Sequence, residues 1–286
     1  MVRIADALSK AESDSKDAVK QERSPVSDQD MVPSFSSHIG SQSSSTTVVS
    51  DSSTSAAWDK RLLKAVEDAP YVFEIFKYLR SRILHPPGDR PRPRTVLVMS
   101  VASGEGKSFI AANLGISMSQ SIDPHSLLVD CDLRRPALSR MFGLKARTGL
   151  ADYLSREEEL SSLLVKTSLD KLTILPSGKK PKNPAELLGS ARMQSLVTEL
   201  ANRYNDRTII FDSPPAQVAS ETLVLAGQVD GVILVVREGG ARRSPVSKLI
   251  DSIDPDRLLG IVFNSHTANI VERLVMDEYS YPKKYY

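Results

Sequence analysis

The residues best suited to chemistry are Gly104, Gly106, Lys107 and Ser108, in the run SVASGEGKS between an aliphatic stretch, TVLVM, and a helix-forming one, FIAANLGISMS. Two glycines this close allow successive backbone N–H groups to turn toward one anion, and the following helix adds its positive end. Lys107 would then reach the β- and γ-phosphates of a nucleotide, and the Ser108 hydroxyl would coordinate Mg²⁺. Glu105 and Phe109 complete the candidate nucleotide-binding set around the loop. The full phosphate-loop pattern asks for a glycine five residues before Gly106, where this chain has Val101, but the flanking strand and helix supply the required context. Two further aliphatic runs end in acid: LLVDCD carries Asp130 and Asp132, and TIIFDSPP carries Asp212. Carboxylates there can hold Mg²⁺ directly or through water, or polarise an attacking hydroxyl. Three of them about one polyphosphate site read as a metal shell. Period-two geometry points Asp130 and Asp132 the same way if their strand persists that far.

These residues need a scaffold that gathers strand ends. From Thr95 onward, short β-branched or aliphatic runs (TVLVMS, SLLVD, LTILPSG, RTIIFD, GVILVV, LLGIVFN) alternate with segments of helical spacing at 108–119, 185–204, 221–226 and 245–253. That order predicts an α/β fold with a mostly parallel sheet flanked by helices on both faces, ligands gathering beyond the strands' carboxyl ends. Upstream, PYVFEIFKYLRSRIL has Val72, Ile75, Phe76, Leu79 and Ile83 at helical spacing and reads as an amphipathic helix. Residues 1–57, dense in serine from Ser34 to Ser55, read as a disordered tail, and HPPGDRPRPR (85–94) as a second unstructured stretch, its Arg90, Arg92 and Arg94 solvated in a linker.

The chain has 286 residues, enough for one sizeable core, and a net charge of +2 gives little electrostatic reason to expect a nucleic-acid partner. Its lone cysteine, Cys131, excludes an internal disulfide and reads as a buried structural thiol. His85, His125 and His266 have no metal-site spacing. No run reaches the length of a membrane helix and the first residues lack a secretory core, so a cytoplasmic protein is expected, with membrane attachment through a partner.

In order and spacing, SVASGEGKSFIAANLG, VDCDLRRP and IIFDSPP resemble the Walker A, A′ and B segments of the bacterial tyrosine kinases (BY-kinases) that control polysaccharide synthesis. The resemblance spans about residues 68 to 286. It implies a P-loop NTPase of the deviant Walker A, SIMIBI-like group. Ala102 stands where the partitioning ATPases of that wider group carry a signature lysine, which argues against their branch, and Ser103 replaces a common proline. The resemblance also implies an ATP-dependent protein-tyrosine autokinase regulating exopolysaccharide or capsule polymerisation and export, with a partitioning-type ATPase or nucleotide-dependent scaffold as the alternative. It makes Lys107, Asp130 and Asp132 catalytic. Asp130 accepts the tyrosine proton, while Ser108, Asp132 and Asp212 hold Mg²⁺. Asn264, ending LLGIVFN, contacts adenine or caps a turn. Glu74, Lys77 and Arg80 stand in for the family's ExxRxxR ring-packing pattern, with lysine lacking arginine's fork. The terminal YSYPKKYY has no core for its rings, and the resemblance makes Tyr279, Tyr281, Tyr285 and Tyr286 the phosphoacceptors. Arg134 and Arg135 could bind phosphate, pair with Asp132 or contact a neighbour. Expected domains are a tail (1–57), an oligomerisation helix and linker (58–94), a kinase domain (95–275) and an acceptor tail (276–286). Expected partners are a membrane-embedded chain-length determinant that activates and recruits the kinase to the inner face of the membrane, and further copies of the chain in a ring.

Overall fold

The computed structural model describes residues 58–62, 70–88, 90–122, 125–144, 148–155, 158–203 and 206–265. The serine-rich tail and the tyrosine cluster lie outside the described residues. Helix α1 (Pro70–Leu84) precedes β1 (Thr95–Ser100), α2 (Lys107–Ser119) and β2 (His125–Asp130). Three short helices follow, α3 (Leu138–Met141), α4 (Leu150–Ser155) and α5 (Leu160–Leu163), then β3 (Val165–Lys166) and β4 (Leu172–Leu175). The remainder is α6 (Pro184–Leu188), α7 (Ala191–Arg203), β5 (Arg207–Asp212), α8 (Glu221–Ala226), β6 (Gly231–Arg237), α9 (Arg243–Asp251) and β7 (Leu258–Asn264).

The strands form a seven-stranded sheet in the order β3-β4-β2-β5-β1-β6-β7, parallel except for the β3–β4 pair. β1, β2, β5 and β6 are buried along almost their whole length and apolar at their centres (VLVM, LLV, IIF and VILVV), because a strand covered on both faces has no solvent side. Side-chain alternation divides the core. Val96, Val98, Leu128 and Ile210 join Phe76, Leu114 and Met118 from α1 and α2 on one face. Leu97, Met99, Val129 and Phe211 join Leu187, Leu196, Leu200 and Leu225 from α6, α7 and α8 on the other. Gly115 lets α2 lie close on β2, because a Cβ there would sit 2.9 Å from the Leu128 side chain.

The structure corrects several sequence expectations. Ile75 is not on the buried face of α1: it is 51% exposed, while Phe76 and Ile83 are buried and Val72 and Leu79 pack against them. Helical spacing admits Ile75 because i+3 and i+4 neighbours lie on one broad face; packing uses a narrower stripe. The helix expected over 185–204 is two helices, α6 and α7, separated at Gly189-Ser190, where Ser190 Oγ accepts the Met193 N–H at 3.2 Å and starts a new helix. LTILPSG forms a strand only through Leu175, and α9 begins two residues earlier than its spacing suggests. The proline-arginine linker is not free. Arg92 donates to Thr208 Oγ1 at 3.2 Å, Arg94 to the Ala201 carbonyl at 3.3 Å, and Arg90 faces Asp256 at 3.6 Å. Proline removes backbone donors, so these long side chains anchor the stretch instead.

Candidate active site

The central strands β2, β5 and β1 end side by side. Asp130 is the register partner of Asp212, and Val98 lies opposite Asp212 on its other side, so the β1 loop and two acidic strand ends share one rim. Beyond β5 the chain stays close to the loop: Ala216 N–H donates to the Ser100 carbonyl at 2.9 Å and Gln217 N–H to that of Val101 at 3.1 Å.

In the loop, Gly104 and Gly106 adopt φ of 82° and 94°, the left-handed conformation that turns consecutive amides to one side. Gly106 leads directly into α2, whose first turn has no side-chain cap, so the N–H groups of that turn are offered to a ligand. Lys107 is buried and lies 3.3 Å from Asp132 Oδ2, while Asp132 Oδ1 accepts the Arg135 N–H at 3.0 Å. β2 stops at Asp130, so Asp130 and Asp132 are not successive residues of one strand face. Asp132 is instead held by the following turn and faces Lys107.

Asp130 and Asp212 are fully buried. Asp130 Oδ2 accepts the N–H groups of Ala137 and Leu138 at 3.2 and 3.1 Å, but its Oδ1 has no partner. Neither oxygen of Asp212 has a partner in good hydrogen-bond geometry, although the Ser108 hydroxyl lies close enough to favour the charged carboxylate. Burial, then the neighbouring Asp212 charge, pushes the Asp130 carboxyl well above the ordinary range. Burial raises Asp212 to about 6, although the Lys107 charge and Ser108 hydroxyl pull it down. Buried carboxylates without partners are costly, so this pair is organised for a cation or an incoming proton rather than for the stability of the empty fold. Among the described residues, no group of three or more histidine, cysteine or acidic side chains forms a metal cage. Asp132 is turned to Lys107, so the three aspartates do not converge. Ser108 and Asp212 remain together, a sparse donor set of the sort Mg²⁺ accepts when phosphate oxygens and water supply the rest. Cys131, buried between the aspartates, has its thiol pushed well above the ordinary range, first by burial and then by the Asp130 charge.

Other candidates have different partners. Asn264 Nδ2 donates to the Glu105 carbonyl at 2.9 Å and its Oδ1 accepts the Ser265 N–H at 2.9 Å, tying β7 to the loop. The Phe109 ring meets Phe76 of α1 edge-on, with centroids 6.5 Å apart. Arg134 pairs at 2.8 Å with buried Glu221 rather than with Asp132. Glu221 carried no sequence signal, since its partner is 87 residues away. Glu74 and Lys77 pair with each other at 2.8 Å, and Arg80 donates to the Ser117 carbonyl.

No family model matches the chain. It is 32% identical over 193 residues to the tyrosine-protein kinase YwqD of Bacillus subtilis, covering 67% of this chain and 80% of that protein. Among solved structures it is similar to the kinase domain of the Escherichia coli tyrosine kinase ETK, with a TM-score of 0.66 and 25% identity over 73% of this chain and 81% of that one. It is also similar to the chimeric protein CapA2B2, with a TM-score of 0.65 and 29% identity over 74% and 92% of the two chains.

Proposed function

Because this chain belongs to the bacterial tyrosine kinase family and is an ATP-dependent protein-tyrosine autokinase of capsule or exopolysaccharide regulation, we propose that it phosphorylates its own terminal Tyr279, Tyr281, Tyr285 and Tyr286, one copy acting on another. The observation that carries the site assignment is the pair of buried carboxylates with three unpartnered oxygens between them, beside an uncapped helix start and a buried lysine. The donor set fits a nucleotide with Mg²⁺: Gly104 to Phe109 supply the loop and first-turn amides, and Ser108 and Asp212 hold the cation. Mg²⁺ held by Ser108 and Asp212 would supply positive charge against that of the nucleotide phosphates. Lys107 releases Asp132 to offset negative charge on the transferred phosphoryl group. Asp130, raised by burial, orients the tyrosine hydroxyl and accepts its proton. In that transfer the tyrosine oxygen bonds to the γ-phosphorus, the bond to the β-phosphate bridging oxygen breaks, and ADP leaves.

Residues 95–275 form the kinase domain in this reading, 58–94 the oligomerisation helix and linker, and 276–286 the acceptor tail. Glu74, Lys77 and Arg80 line the contact with a neighbouring copy in a ring. Each phosphotyrosine adds about 1.5 to 2 negative charges, so modified tails repel and release their neighbours. Among the described residues, no helix is long and apolar enough to cross a membrane. In this reading a membrane-embedded chain-length determinant recruits and activates the kinase, a partner in keeping with the similarity to the CapA2B2 chimera.

Intact-mass and peptide analysis after incubation with Mg·ATP, with Lys107→Met as control, tests the reading. Phosphate on the four terminal tyrosines that is absent from the control is expected. ADP release without phosphotyrosine, with or without an activator's cytoplasmic tail, would reassign the protein as a partitioning-type ATPase or scaffold. For the ring, changing all four tyrosines to phenylalanine should abolish ATP-driven disassembly in light scattering.

A further inference from the structure

The loop that begins α2 contains an acid, Glu105, which is only 2% exposed. A carboxylate inside an anion-binding turn would repel phosphate unless its charge were used elsewhere. It is used on two backbone amides: Oε2 accepts the Ala102 N–H at 2.8 Å, and Oε1 accepts that of Ala241 at 3.3 Å. The first bond closes the loop on itself. The second crosses to the turn between β6 and α9, 136 residues away in sequence. That turn has room for the carboxylate because residue 240 is glycine; a Cβ there would lie 3.2 Å from Glu105 Oε1.

A second tie reaches the same residue from β7. Asn264 Nδ2 donates to the Glu105 carbonyl at 2.9 Å, and the Asn264 carbonyl accepts the Glu238 N–H at 3.1 Å. Asn264 packs so closely under the loop that a Cβ on Gly106 would sit 2.0 Å from Nδ2. Glycine at 106 therefore serves both the left-handed turn and this contact. The β6–α9 turn and the end of β7 are joined to each other and separately to Glu105, which closes a hydrogen-bonded circuit around the loop.

We infer that Glu105 and Asn264 are positioning residues that fix the phosphate loop to the ends of β6 and β7, so that the turn at 238–241 sets the loop's affinity for nucleotide phosphates. Neither side chain needs to touch the nucleotide for this. The inference rests on the nucleotide reading of the loop, but not on where the phosphoryl group goes.

The experiment is a fluorescence titration of the full chain with a Mg²⁺ complex of N-methylanthraniloyl-ADP, together with thermal melting without nucleotide. Glu105→Gln replaces one acceptor oxygen with a donor, and Ala241→Pro removes the N–H it meets. Each should weaken binding about tenfold, the loss of one charge-assisted hydrogen bond. Because both cut the same tie, the double variant should bind no more than about twofold worse than either single one. Asn264→Asp, which sets a carboxylate against the Glu105 carbonyl, should weaken binding by a similar factor. Melting of the free variants should fall by no more than about 5 °C, the local cost of one hydrogen bond, and by amounts that do not track affinity. Unchanged affinity, multiplicative losses in the double variant, or melting temperatures that fall in step with affinity would overturn the inference. Should Ala241→Pro not fold, Glu105→Gln combined with Asn264→Ala takes its place, with sub-multiplicative loss supporting the circuit and multiplicative loss overturning it. A parent that binds no Mg·ADP would overturn the nucleotide reading and this inference together. Binding without tyrosine phosphorylation would fail the autokinase assignment and leave this inference standing.

Discussion

The two ends of the sheet both hold charge, and they treat it in opposite ways. At the strands' amino ends, Asp230 Oδ2 accepts the Arg94 and Thr95 amides and the Thr95 hydroxyl, at 2.9, 2.9 and 2.8 Å. Arg257 donates to the Val229 carbonyl and faces Asp254. Asp230, Asp254 and Arg257 line a cavity of about 670 Å³ with the arginines of the proline-rich linker. At the carboxyl ends, Asp130 and Asp212 are sealed from solvent with three oxygens unpartnered between them. A charge whose hydrogen bonds are complete stabilises the empty fold, whereas one left incomplete marks a place where something else must bind. The presence of a cavity does not separate these cases; the state of the polar atoms does.

The contrast breaks most visibly at Asp212. Asp212→Asn should lower tyrosine phosphorylation about 10²- to 10⁴-fold, measured as initial rate with Mg·ATP. The same change should raise the stability of the nucleotide-free protein by about 1 to 3 kcal/mol in denaturant titration, because an amide removes one of two facing buried charges. Loss of both activity and stability would show that Asp212 has a structural partner after all. The pH dependence follows from the same group. Its pKa rises from 3.8 in the unfolded chain to about 6 in the folded one, so between those values the folded state holds more protons. Stability from this group is full below about pH 4 and is lost as pH rises through about 6, a change of about 3 kcal/mol. Comparing parent with Asp212→Asn reads the slope of the Asp130–Asp212 pair, because the Asp212 charge also raises Asp130, and saturating Mg·ADP should flatten it, since a cation then takes the proton's place.

At the opposite rim the expected sign reverses. Asp230→Ala leaves two backbone amides and the Thr95 hydroxyl without their acceptor and should cost about 2 to 3 kcal/mol of stability. The turnover of the remaining folded protein should not change. A fall in turnover at constant folded fraction would mean that the amino rim communicates with the site.

Much of the sheet was legible in the sequence because a strand buried on both faces has to be an unbroken apolar run. β1 and β5 match TVLVMS and RTIIFD residue for residue, and the half-buried edge strand β7 matches LLGIVFN. The two-residue edge strand β3 and the four-residue helices α3 and α5 were not legible, being too short to show a period. Within the site, the loop and the acidic strand ends could be read from residue type and position. The choices among partners could not: Asp132 turning to Lys107, Arg134 to Glu221 and Glu105 to Ala241 join residues 25, 87 and 136 apart. Such pairings are set by which strand lies beside which, and local pattern contains no record of that. The arginines of the linker at 85–94 stay exposed, as a solvated linker requires, but their acceptors on β5, on α7 and near β7 have no local signature either.

The smallest expected effect lies on the satisfied rim itself and shows what satisfaction requires. Arg90 and Asp256 face each other at 3.6 Å, but they are 53% and 90% exposed. Water already solvates both charges, and holding two side chains in one geometry costs entropy. Arg90→Ala should therefore alter stability by no more than about 0.5 kcal/mol, with no change on adding salt beyond that of the parent. Asp230, on the same rim, should cost several times more because Thr95, which supplies two of its three donors, is buried. If Arg90→Ala instead cost as much as Asp230→Ala, the arginines and aspartates around the cavity would be acting as one cooperative network. The double variant would then lose less than the sum of the two single ones, and the amino rim would owe its stability to the linker's attachment as well as to the sheet.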